Sequence, residues 1–88
     1  MPKDLCFVDC ETTGLDPHFH ELIDVAAIRV SPDMTVLQRV HCFVMPQHPE
    51  RASPEANALT GFSPEHWQTL SPSPLSLPDA LDALSPAL

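Results

Sequence analysis

The sequence predicts an α/β fold in which three antiparallel strands precede short helices. Apolar, partly β-branched runs fall at 5–10, 22–30 and 36–45, and turn residues separate them. Most of the eleven prolines fall in the second half, several as Ser-Pro pairs that suit a helix start.

From Leu5 to Cys10 the chain is apolar until Asp9, the pattern of a buried strand that ends in an acidic residue. Thr12 to His20 contains Gly14 and Asp16-Pro17, both turn signals. Leu22 to Val30 reads as a second strand, and Ser31-Pro32-Asp33 as the tight turn that joins antiparallel neighbours. Val36 to Met45 alternates as a third strand, with Val36, Val40, Cys42 and Val44 on one face. Ser53-Pro54-Glu55-Ala56 and Ser63-Pro64-Glu65-His66 read as two short helical turns separated by Gly61, since a serine oxygen caps an orphan N–H and proline lacks one. The stretch 71–75 reads as a linker. Ser76 to Asp79 caps a last helix from Asp79 to Leu84, with Leu77, Leu81 and Leu84 on one side.

Eighty-eight residues hold at most one small domain, and the 43 % apolar fraction is ordinary for a globular protein. No apolar run approaches the ~18 residues that span a bilayer, and the N-terminus lacks a signal-peptide pattern, so no membrane is expected and the location reads as cytoplasmic. The three cysteines, Cys6, Cys10 and Cys42, are an odd number and read as reduced core thiols. A formal charge of -8 argues against simple electrostatic binding of nucleic acid, which needs cationic side chains to displace counterions. It leaves open a site whose carboxylates hold divalent cations, because bound metals reverse the local sign.

The stretch that carries chemistry is Phe7-Val8-Asp9-Cys10-Glu11-Thr12-Thr13-Gly14-Leu15. Alternate residues of a strand share a face, so Asp9 and Glu11 project together, about 6.6 Å apart along the chain. Two such carboxylates can converge on one or two cations, and hard oxygen ligands select magnesium or manganese over zinc. Gly14 permits a close approach that a side chain would block, and Thr12 and Thr13 offer hydroxyl and N–H groups to a sugar or phosphate. The competing structural reading is a solvated acidic pair at a strand end. The apolar strand that runs into D-x-E-T-T-G-L favours the functional one.

FVDCETTGLD resembles the first motif of the DEDD exonuclease superfamily, which includes polymerase proofreading subunits, ribonuclease T and oligoribonuclease. ELIDVAAIRV resembles that family's second strand, and FVMPQHPERASPEANALTGFSPEHW its third strand and the short helices that follow. The resemblance covers most of residues 5–67. It implies a ribonuclease H-like fold, here incomplete, with residues 1–70 as the N-terminal half of the exonuclease domain and 71–88 as a Ser/Pro/Leu-rich segment. It also implies 3′–5′ hydrolysis of nucleic acid by a two-metal mechanism, with Asp9 and Glu11 as catalytic metal ligands for Mg or Mn. Thr12, Thr13, Gly14 and Leu15 would contact the 3′-terminal nucleotide, Leu15 wedging against the last base, and Ala58 to Gly61 match a segment near that pocket.

The departures bear on activity. The family uses a third carboxylate and an H-x-x-x-x-D motif, and none of the five histidines has aspartate at that spacing. SLPDALDALSPAL resembles the helix before the second motif, so the chain is expected to stop where the remaining ligands begin and to have little or no nuclease activity. A non-catalytic module that binds a partner or a nucleic-acid end is the alternative, and half a sheet would leave an edge for a protein partner to cover. Zinc at His18, His20, Cys6 and Cys10 fails on geometry, because two strand residues four apart lie about 13 Å from each other. Asp24 reads as edge-facing or hydrogen-bonded rather than as a ligand, Trp67 and Cys10 as core residues, and His18 and His20 as exposed loop.

Overall fold

The computed structural model describes residues 3–88. Three strands, β1 (Leu5–Thr12), β2 (Leu22–Val30) and β3 (Val36–Phe43), form one antiparallel sheet in the order β1-β2-β3. Three short helices follow: α1 (Pro54–Thr60), α2 (Pro64–Gln68) and α3 (Leu77–Leu84), with 3₁₀ turns at Pro49–Arg51 and Ser85–Ala87. None of the described helices is long and apolar enough to cross a membrane.

Side-chain hydrogen bonds explain where the elements begin and turn. Ser53, Ser63 and Ser76 each cap a helix by accepting from the N–H three residues on, at Ala56, His66 and Asp79. Gly61 ends α1 at φ +75°, a left-handed conformation that suits glycine. The β2–β3 turn runs from Ser31 to Thr35 and is closed by Ser31 N–H to Thr35 O at 2.9 Å, with Met34 left-handed at φ +69°. Asp33 accepts there from the Ser31 hydroxyl and the Thr35 N–H, and these bonds hold its carboxyl below the usual range.

Cross-strand partners share a face, so the register sorts the sheet into two sides. Phe7, Asp9 and Glu11 lie opposite Ile28, Ala26 and Asp24, which in turn oppose Arg39, His41 and Phe43. The other side of β2 and β3 carries Val25, Ala27, Val40, Cys42 and Val44, and these pack on Ala80, Leu84 and Ala87. A second cluster joins Ile23, Phe62 and Trp67 with Phe43 and Met45. Trp67 is 3 % exposed and donates its indole N–H to Ile23 O at 3.0 Å, the core role its sequence context implied.

Several expectations change. The strand from Leu5 is not buried: every residue from Leu5 to Glu11 is exposed, because β1 is an edge strand and α3 packs across β2 and β3 instead. Cys6 and Cys10 are therefore surface thiols and only Cys42 is a core one. The strand also runs on to Thr12, through the acidic pair. Val36 is exposed, beside a register slip between Arg29 and Val30. The buried stripe of α3 is formed by Ala80 and Leu84, extended by Ala87, while Leu77 and Leu81 face outward. Small alanines let the helix lie close to the sheet. The stretch 71–75 is tied to the sheet: Leu75 bridges Val44, its N–H donating to Phe43 O and its carbonyl accepting from Met45 N–H, both at 2.9 Å.

Candidate metal and nucleotide site

Strand pleating puts Asp9 and Glu11 on the same side of β1, both exposed. Among the described residues neither carboxylate takes part in a salt bridge. Glu11 lies opposite Asp24, a third carboxylate on this side, whose Oδ1 is 2.5 Å from His41 Nε2. Ala26 separates Asp9 from His41 in the next row, so a small side chain leaves the space above Asp9 open. Among the described residues no three His, Cys, Asp or Glu side chains are grouped closely enough to hold a metal ion together.

The register shifts between Glu11 and Thr12, and after Thr12 the chain leaves the sheet. The loop that follows is fastened at several points. Thr13 exchanges hydrogen bonds with Glu21: its N–H donates to Glu21 O at 2.9 Å and its hydroxyl accepts from Glu21 N–H at 3.0 Å. Its carbonyl accepts from Ser53 N–H at 2.8 Å, joining the loop to the start of α1. The Asp16 carboxylate accepts from His18 N–H at 2.9 Å, and the Asp16 carbonyl accepts from His20 N–H at 2.7 Å. Arg51 stacks over the Phe19 ring at 5.1 Å. The Glu21 carboxylate accepts from the N–H groups of Gln47 and His48, both at 2.8 Å, fixing the segment that leads to α1.

Between this loop and α1 lies a cavity of about 600 Å³, with Glu11, Thr12, Gly14, Leu15 and His20 on one wall and Ala56 and Leu59 on the other. Of the residues expected to contact a nucleotide, the structure thus brings together Thr12, Gly14 and Leu15 beside Glu11. Leu15 is 100 % exposed at the rim. Thr12 gives its hydroxyl proton to Gly14 O at 2.6 Å. Thr13 is placed otherwise: it is 1 % exposed, with hydroxyl, N–H and carbonyl all engaged within the fold. Asp9 sits one pleat back along the strand, outside the cavity wall. Gly14 is needed for close approach, since a Cβ there would lie 2.4 Å from the His20 ring.

Sequence reasoning passed over Glu21 and read His20 as exposed loop, whereas His20 is half-buried on the cavity wall. Nothing local marks them, because their places depend on the loop folding back toward α1. Ala58 to Gly61 were matched only to a segment near the pocket, and of these Leu59 and Thr60 reach its wall. His18 is exposed, and Asp24 is hydrogen-bonded as expected.

A family model for exonucleases of the ribonuclease T type matches residues 6–81. The chain belongs to this exonuclease family. Its three antiparallel strands followed by short helices belong to a ribonuclease H-like fold. Among solved structures it is similar to a moderately thermophilic exonuclease I from Methylocaldum szegediense, at 28 % identity and TM-score 0.68 over 83 % of this chain and 15 % of that one. It is likewise similar to E. coli exonuclease I in complex with a dT13 oligonucleotide, at 27 % identity and TM-score 0.63 over 70 % of this chain and 14 % of that one. A zinc-bound form of the E. coli enzyme with single-stranded DNA matches at 27 % identity and TM-score 0.64, over 70 % and 14 % of the two chains. This exonuclease-family chain therefore spans about one seventh of the exonuclease I chains it matches. No curated protein sequence matches it.

Proposed function

We propose that this chain carries the metal-holding and nucleotide-facing front of a 3′–5′ exonuclease site, and that by itself it binds a nucleic-acid 3′ end without cutting it appreciably. The observation that carries the reading is the placement of Asp9 and Glu11: exposed on one side of β1, free of salt bridges among the described residues, with Glu11 on the wall of the cavity. An all-oxygen pair of this kind fits a hydrated magnesium or manganese ion, and the exposed position leaves the remaining coordination to water. Such an ion supplies positive charge to a scissile phosphate and to an attacking water.

The chain's own residues would do the rest. Glu11 and Asp9 hold negative charge where the ion is needed, while Gly14 lets the loop close tightly and Leu15 and Leu59 offer apolar faces to a terminal base. Thr13 acts as the clamp that keeps this loop in place. Single-stranded DNA is the favoured ligand, because the similar exonuclease I is seen with a dT13 oligonucleotide.

The reading of weak or absent catalysis rests on the ligand count. Two carboxylates hold a hydrated ion poorly, Asp24 is engaged by His41, and no histidine stands five residues before an aspartate to act as base.

Two measurements test the proposal. Magnesium or manganese should raise the melting temperature of the wild-type chain and leave Asp9→Ala unchanged; an equal shift in both would remove the metal site. In a manganese-dependent assay on short single-stranded oligonucleotides, wild type should release mononucleotides no faster than Glu11→Ala. Clear metal-dependent release by wild type alone would overturn the inactivity.

A further inference from the structure

The cavity wall carries no cationic hydrogen-bond donor, and its hydroxyl groups are those of Thr12, Ser53 and Thr60. Its charged residues are Glu11, Asp16 and Glu55, no lysine or arginine lines it, and the Thr12 hydroxyl proton is committed to Gly14 O. A nucleotide presents chiefly acceptor oxygens on its phosphate and sugar and at its base carbonyls. Something on the wall has to answer them.

We propose that His20 supplies one such donor: its Nε2–H contacts an acceptor oxygen of the nucleotide held between the loop and α1. The inference rests on reading the cavity as a nucleotide site. Three observations carry it.

The first is the proton's location. His20 Nδ1 accepts from Asp16 N–H at 3.1 Å, so a neutral ring carries its hydrogen on Nε2. The second is that the ring is held in place. Its backbone N–H is bonded to Asp16 O at 2.7 Å, and Phe19 meets it edge-on with centroids 5.0 Å apart. Its face lies against Gly14 so closely that a Cβ there would be 2.4 Å from Cε1 and 2.5 Å from Cδ2 and Cγ. A donor fixed in this way loses little freedom when a ligand arrives. The third is availability. His41 and His48 each use a ring nitrogen on a carboxylate, whereas His20 Nε2 has no hydrogen-bond partner among the described residues.

The test uses the full chain with magnesium chloride and thymidine 5′-monophosphate, the unit a 3′ exonuclease releases from a thymidine strand. Long-range proton–nitrogen NMR of the histidine rings should show His20 as the Nε2–H tautomer before titration. On titration the His20 Nε2 signal should move together with the backbone amides of Thr12 to Leu15. His20→Phe keeps a ring over Gly14 without the donor, and should bind the mononucleotide roughly 2- to 10-fold more weakly, the range for one hydrogen bond. Amides that move while His20 Nε2 stays still, or unchanged affinity in His20→Phe, would overturn the role of His20 and leave the nucleotide site standing. Amides and ring both unmoved would overturn the two together. The wild-type spectrum decides the matter even where the variant fails to fold.

Discussion

Strands β1 and β2 lie side by side with comparable apolar sequences, LCFVDCET and LIDVAAIRV, yet β2 buries Ile23, Val25, Ala27 and Val30 while β1 buries nothing. The difference comes from their neighbours. β2 is flanked on both edges and covered by α3, whereas β1 has one paired edge and lies beyond that helix. Val8 sits opposite Ala27 and is 57 % exposed against 0 %. An apolar run therefore specifies a strand, but burial needs a second layer, and the layer here reaches only two strands. Asp9 and Glu11 lie on the opposite side of β1 from α3, so their exposure does not depend on that helix.

The largest expected effect lies in the covered half. Trp67→Ala removes the packing with Ile23, Phe43 and Phe62 and the bond to Ile23 O, and should cost about 3–5 kcal/mol in urea unfolding. Such a loss would unfold much of an 88-residue chain at equilibrium. The direct comparison is one substitution made on both strands. Val25→Ala should cost about 2 kcal/mol, because the buried methyls leave a gap against α3. Val8→Ala should stay within about 0.5 kcal/mol. Equal costs would mean that β1 is covered in solution and would end the comparison.

The smallest effect is read from the thiols. Native protein should take up two equivalents of an alkylating reagent quickly, at Cys6 and Cys10, and a third only on unfolding, at Cys42. Burial pushes the Cys42 thiol up from its ordinary pKa, so the folded state favours the protonated form. That contribution to stability is complete below the unfolded thiol's pKa, about 8.5, and is lost as pH climbs from there through the folded value. Cys42→Ser should flatten the alkaline decline measured by thermal unfolding.

Much of the candidate site's layout was legible because its signal is local. Asp9 and Glu11 share a face through the period of a strand, and Gly14 is punctuation within the same ten residues. Thr13 was misplaced for a reason the motif cannot contain. Its hydroxyl and backbone engage Glu21 and Ser53, eight and forty residues away, which turns a candidate contact into a clamp. The place of His20 on the wall stayed hidden likewise, since the cavity exists only once the loop packs beside α1.

By itself the sequence determined the three strands, the serine caps of all three helices and the acidic pair at the end of the first strand. Each follows from hydrogen bonds or alternation within a few residues, so neighbours along the chain suffice to specify it. Tertiary structure alone decided that β1 stays uncovered, that Ala80 and Leu84 rather than Leu77 and Leu81 face the sheet, and that Trp67 seals the second cluster. Burial is a property of what lies across the gap, and that partner is set by packing between segments far apart in sequence.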